Sequence, residues 1–170
     1  MFRQTTQQQR NLRRIQLVLI GTAALGLVLV GIFLAHQLNL AACPLCILQR
    51  MLYLVIALSA SIAYFLAHHA KSSRLAILLM SLAAFTGAGI AAYQTWLQRF
   101  AADTNCAANQ PWWERFVYWA GEKAPWFFEA TGLCSDAGRK LLGLSIAEWS
   151  LLAFSIFTFL TLRLLLKKSN

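Results

Sequence analysis

Four cysteines, Cys43, Cys46, Cys106 and Cys134, carry the most reactive chemistry available to this chain. Two of them form Cys43-Pro44-Leu45-Cys46, followed directly by Ile47-Leu48-Gln49-Arg50. If Cys46 opens a helix, Arg50 lies on the same face one turn further in. Unpaired backbone N–H groups and the helix dipole then favour negative charge on Cys46. Such surroundings lower a thiol's pKa and supply the thiolate that attacks disulfides. Pro44 suits the first position of a helix. The chemistry expected is therefore thiol–disulfide exchange at a redox-active Cys43–Cys46 pair. Zinc is one alternative, since Cys-x-x-Cys supplies half of a tetrahedral site. Cys106 and Cys134 stand 28 positions apart and do not repeat that spacing, so no metal is expected. A static disulfide is the other alternative.

The elements that must position these residues are apolar. Of 170 residues, 59% are hydrophobic and only 12% charged, too few charges for a water-soluble globule. Ile15–Ala35 is a nearly unbroken apolar run, long enough at about 1.5 Å per residue to cross a hydrocarbon core of about 30 Å. Leu40-Ala41-Ala42-Cys43 looks like a lipoprotein cleavage box. The preceding run, however, exceeds the roughly 7–15 apolar residues of a signal peptide and is read as a span. Further runs cover 47–66, 75–97 and 145–166. The third is rich in small residues (Ala83, Ala84, Gly87, Gly89, Ala91, Ala92), which let membrane helices approach closely. The expectation is an all-α, membrane-spanning four-helix bundle forming one integral membrane domain over 1–170. Its spans are about 15–35, 47–66, 75–97 and 145–166, and its loops on the cysteine side about 36–46 and 98–144. Residues 1–14 read as a polar, solvated arm.

Charge sets the orientation. Net charge is +9, but the basic residues flank the apolar runs rather than forming one stripe, which argues against nucleic acid. Arg3, Arg10, Arg13, Arg14, Lys71, Arg74, Arg163, Lys167 and Lys168 lie beside one set of span ends, with no acid among them. The gap at 36–46 has no lysine or arginine, and the long gap balances its basic residues with acids. The positive-inside rule then puts both termini in the cytoplasm and all four cysteines on the opposite, oxidising side. There Cys106 and Cys134 read either as a structural staple or as a second redox pair. A staple adds little to four membrane helices. As a redox pair they exchange with a soluble partner and pass electrons to Cys43–Cys46.

The long gap also carries aromatics. Trp112, Trp113, Phe116, Val117 and Ala120 fall along one predicted helical side, and Pro125-Trp126-Phe127-Phe128 follows. This predicts a short helix lying in the membrane interface. Arg50 costs roughly 2.5–3.5 kcal/mol at mid-membrane, less where it snorkels to the interface. Its functional reading is a cation beside Cys46 that stabilises the thiolate and the reduced oxygen of a bound acceptor. Gln49 and Gln94 are candidate donors to the same ligand. Glu148 and Trp149 read as interface residues, and His36, His68 and His69 as solvated.

Cys-Pro-Leu-Cys-Ile-Leu-Gln-Arg resembles the signature of the DsbB family, the quinone-coupled thiol oxidases of the bacterial inner membrane. The resemblance extends to the four crossings and the cysteine pair in the long external loop. It implies that Cys43, Cys46, Cys106 and Cys134 are the redox residues. Arg50, with Cys46, Gln49 and Gln94, would then hold ubiquinone or menaquinone from the membrane pool. It also implies that a periplasmic DsbA-type thiol oxidase attacks Cys106 and that a transient disulfide joins Cys43 to Cys106. The sequence departs from the family pattern at Gln49, where glutamate often stands, and at Gln94, where some members carry histidine. The alternatives are a four-helix quinone or epoxide reductase of the vitamin-K type, whose Cys-x-x-Cys lies in the last helix, and a non-enzymatic scaffold with static disulfides.

Overall fold

The computed structural model describes residues 2–37, 41–100, 112–135 and 140–166. Among the described residues six helices appear in chain order: α1 (Phe2–Gln37), α2 (Pro44–Phe65), α3 (Ala70–Phe100), α4 (Trp112–Lys123), α5 (Pro125–Phe128) and α6 (Ile146–Leu166). Among the described residues there is no strand, only an isolated bridge between Leu141 and Leu144. The segments able to cross a membrane are Gln7–Gln37, Pro44–Phe65, Lys71–Phe100 and Ile146–Leu166. The protein is an all-α, multi-pass membrane bundle.

The helices exceed the apolar runs. α1 continues back through the polar segment read as a solvated arm, and α3 starts more than a turn before 75–97 and ends three residues after it. Backbone groups leaving a membrane are satisfied most simply by continuing the helix, so polar flanks need not end it. α2 instead begins before its apolar run, because Cys43 caps it and Pro44 takes the first turn.

α1 packs on α2, α2 on α3, and α3 on α6. Their shared core includes Leu17, Ile20, Ile56, Met80 and Phe154. Close approach depends on the small residues of α3. Ala83, Ala84, Gly87 and Ala91 are buried, while Gly89 and Ala92 face outward. A Cβ on Gly87 would lie 2.3 Å from the Phe154 ring, so glycine makes the slot that this ring fills. On its other face the ring stacks on Tyr53, with centroids 4.0 Å apart. Leu19, Leu29, Phe33, Leu58, Phe85 and Phe159 point outward, as expected where the solvent is lipid.

Polar ties fix the bundle ends. At one end Arg13 donates to Ser73 Oγ, which donates to the Ala63 carbonyl. At the cysteine end Arg99 of α3 pairs with Glu148. Glu148 also accepts from the Ser145 N–H, while Ser145 Oγ accepts from the Glu148 N–H, a reciprocal cap that starts α6. Trp149 donates to the Leu141 carbonyl. The expected interface pair Glu148 and Trp149 thus anchors α6.

α4 departs from the expected face. Glu114, Val117 and Ala120 turn inward, and Trp112, Phe116 and Trp119 are exposed. The compact residues at 117 and 120 let α4 approach α5 and α2, whereas the large rings recur at a spacing that forms an outer stripe. Gly121 closes this corner: a Cβ there would come within 2.8 Å of the Phe128 carbonyl.

Candidate active site

Cys43 is the N-cap of α2, and its sulfur accepts from the Cys46 N–H at 3.4 Å. A sulfur therefore does the capping usually done by the oxygen of Ser, Thr, Asp or Asn. Cys46 lies three residues into the helix, still within the first turn where N–H groups lack helical partners. Cys43 donates to Cys46 Sγ at 3.1 Å.

A third sulfur completes the cluster. Cys134 is buried against Cys43, Leu45 and Leu97, with Cys46 and Trp113 packed around them. The loop that carries it is held by backbone: the N–H groups of Thr131 and Gly132 both donate to the Ala42 carbonyl, at 2.9 and 3.0 Å. Gly132 is required for that approach, since a Cβ would lie 2.3 Å from the Ala41 carbonyl oxygen. Ala42 and the segment before Cys134 are thereby joined immediately beside the Cys-x-x-Cys unit.

The three thiols are not equivalent. Cys43 is pushed well above the ordinary thiol range, first by its hydrogen bonds to Cys134 and Cys46 and then by burial. Cys134 is pulled below that range because its sulfur accepts from Cys43. Cys43 is thus the proton-bearing centre, and Cys134 the sulfur readier to become a thiolate. Cys106 lies outside the described residues, so neither its pairing with Cys134 nor the implied Cys43–Cys106 bond is described. Among the described residues, the loop cysteine set against Cys43 is Cys134.

Below the sulfurs two buried amides form a relay. Gln49 Nε2 donates to Gln94 Oε1 at 2.8 Å. Gln94 Nε2 donates to Cys43 Sγ at 3.2 Å and to Cys46 Sγ at 3.1 Å. Arg50 points elsewhere, donating to the carbonyls of Phe127 and Gly31 at 3.3 and 3.4 Å. It lines a cavity of about 280 Å³ with Ala35, His36, Pro125, Trp126 and Glu129. His36, expected to be merely solvated, stacks on Trp126 with ring centroids 4.3 Å apart; His68 and His69 are exposed. Of the residues expected around quinone, Arg50 is on this wall, Cys46 is one turn away along α2, and Gln49 and Gln94 are occupied behind the sulfurs. Among the described residues no cluster of metal-ligating side chains occurs.

Residues 13–164 match the family model described as disulfide bond formation protein DsbB. The chain belongs to the DsbB family. It is 43% identical over 141 residues to the disulfide bond formation protein B of Dechloromonas aromatica (strain RCB), covering 80% of this chain and 82% of the relative. The corresponding protein of Nitrosospira multiformis is 34% identical over 157 residues, covering 91% and 92%. That of Nitrosomonas europaea is 34% identical over 154 residues, covering 85% and 88%. Membership makes this DsbB-family chain a membrane oxidoreductase of disulfide bond formation. The sequence missed three features of the site: the docking of Thr131 and Gly132 on Ala42, the place of His36 and Trp126 at the cavity, and burial of Glu114 near Cys134. A glycine two residues before a loop cysteine was the available signal for the first.

Proposed function

We propose that this protein reoxidises a periplasmic DsbA-type dithiol oxidase and passes the two electrons to membrane quinone in the bacterial inner membrane. The observation that carries the proposal is the convergence of Cys134, Cys43 and Cys46, with Arg50 one turn below on a cavity wall.

The partner's thiolate attacks Cys106 of a Cys106–Cys134 disulfide and releases the Cys134 thiolate. Cys134 attacks Cys43, forming a Cys43–Cys134 bond and releasing Cys46 as thiolate. The partner's second thiol then takes the partner off Cys106 as a closed disulfide. Cys106 returns to Cys134, freeing Cys43, so that both electrons rest on the Cys43–Cys46 dithiol. In this route the transient bond joins Cys43 to Cys134, the sulfur it meets among the described residues, while the Cys43–Cys106 bond implied by the resemblance falls outside them. The lowered thiol of Cys134 and the start of α2 beneath Cys46 suit attacker and leaving group respectively.

The cavity suits a flat ring bearing two acceptor oxygens. Arg50 supplies a cationic donor whose present bonds to carbonyls are long, and Trp126 and His36 supply ring surfaces. Ubiquinone or menaquinone, when bound, supplies a two-electron acceptor. Arg50 would orient it and stabilise negative charge on its oxygen.

The test is oxidation of a reduced DsbA-type partner by the purified protein without oxygen, with ubiquinone and menaquinone analogues supplied in turn. One quinone equivalent should be reduced per disulfide formed. Oxidation that proceeds equally without quinone would remove the acceptor from the scheme, and no oxidation with either would leave a scaffold.

A further inference from the structure

The two glutamines depart from what a membrane core requires. A buried amide pair in a bundle satisfies itself most simply by mutual hydrogen bonds between its two members. Here the pair is asymmetric. Gln49, 3% exposed, donates to the Gln94 oxygen. Gln94, 1% exposed, turns its NH2 toward sulfur, within hydrogen-bond distance of both Cys43 and Cys46. An amide turned end for end would place its oxygen against both sulfurs and its NH2 against the NH2 of Gln49. With Gln49 as donor, the Gln94 oxygen faces Gln49 and its NH2 faces the cysteines.

We propose that Gln94 is a positioning residue of the Cys43–Cys46 pair: its amide holds both sulfurs and stabilises negative charge on Cys46 in the dithiol state, while Gln49 fixes the amide's orientation. A hydrogen bond to a charged sulfur is stronger than one to a neutral sulfur, so the relay favours the reduced pair over the disulfide. The amides do not titrate, so this stabilisation adds no ionisable group beside the thiols. The labour is divided by direction. Arg50 serves the cavity from the outer side of α2, and Gln94 serves the sulfurs from α3. Both glutamines act on the protein's own sulfurs and need no contact with quinone.

The test is the thiol–disulfide equilibrium of the full-length protein with Cys106 and Cys134 replaced by serine. The remaining pair is equilibrated against dithiothreitol mixtures without quinone, quenched by alkylation and weighed. Each exchange converts one dithiothreitol to its cyclic disulfide as the Cys43–Cys46 disulfide becomes a dithiol. Gln94→Met keeps bulk and removes the donors; it should shift the equilibrium about tenfold toward the disulfide, equivalent to about 30 mV toward more reducing potential. Gln49→Met should shift it less and in the same direction. Combined, the two should give no more than Gln94→Met alone, because Gln49 acts only through Gln94. An unchanged equilibrium in helical, monodisperse Gln94→Met protein would overturn the proposal, as would shifts that simply add. Should Gln94→Met fail to fold, Gln49→Met decides: no shift there overturns it. Since no quinone takes part, the outcome is separate from whether quinone is the acceptor.

Discussion

Among the described residues Cys43 faces two sulfurs, and it can bond only one at a time. Hydrogen bonds to Cys134 and Cys46 keep the proton on Cys43 in the reduced cluster and leave Cys134 the readier thiolate. With Cys46 and Cys106 replaced by serine, mild oxidation should therefore give one product, a Cys43–Cys134 disulfide, mapped by non-reducing peptide mass analysis. Free thiols at both positions after oxidation would mean that the loop does not hold this approach in membranes. Arg50 is assigned a separate step. Arg50→Gln should lower quinone-dependent turnover by about a hundredfold, the scale seen when a donor to developing negative charge is removed. It should leave formation of the Cys43–Cys134 bond intact. Arg50→Lys should recover only part of the rate, since an ammonium lacks the guanidinium fork. Equal turnover in wild type and Arg50→Gln would return Arg50 to the role of a snorkelling anchor.

At the scale of elements, two glycines determine what can touch. Gly132 lets the 131–134 segment dock on Ala41 and Ala42, and no side chain fits between them. Gly132→Ala should displace Thr131 and Gly132 from the Ala42 carbonyl and cut the yield of the Cys43–Cys134 bond severalfold or more. Helix content should stay unchanged, because the loop lies outside the bundle core. Gly87→Ala acts in the core instead. Its Cβ would overlap the Phe154 ring and cost about 1–3 kcal/mol by overpacking, read as a lower denaturation midpoint in detergent. Adding Phe154→Leu should return part of the loss. The sequence shows which of these elements exist better than which of their faces meet. A membrane span needs only enough consecutive apolar residues, so all four were legible. The side of α4 that turns inward was not, because Trp112 and Phe116 are as apolar as Val117 yet are exposed where Val117 is buried. Gln94 was visible as a polar residue in an apolar helix. Its aim at sulfur depends on how α2 and α3 pack, and no spacing within either helix records that. Cys134 against Cys43 is likewise set by backbone bonds between two loops, which carry no side-chain pattern.

For the whole molecule, function depends on which side of the membrane the cysteine end faces. Cys43 and Cys134 lie together at the end of the bundle where α2 begins and α3 finishes, opposite the Arg13–Ser73 tie. That shared end follows from the fold alone, whichever way the bundle is inserted. Orientation comes from charge: the end bearing Arg13, Arg14, Lys71 and Arg74 is basic and free of acid. Translocating such a cluster is disfavoured, so the orientation expected from charge keeps it in the cytoplasm and puts the cysteines on the oxidising side. Reversed insertion would put the same sulfurs among cytosolic reductants and away from the proposed periplasmic partner. In a background with all four native cysteines replaced, a cysteine introduced at Asn109 should react with a membrane-impermeant maleimide in intact spheroplasts. One introduced at Ser72, exposed near the start of α3, should react only after lysis. Labelling at Ser72 before lysis would invert the bundle and remove the periplasmic partner from the proposed route, while leaving the internal Cys134–Cys43–Cys46 arrangement as it is.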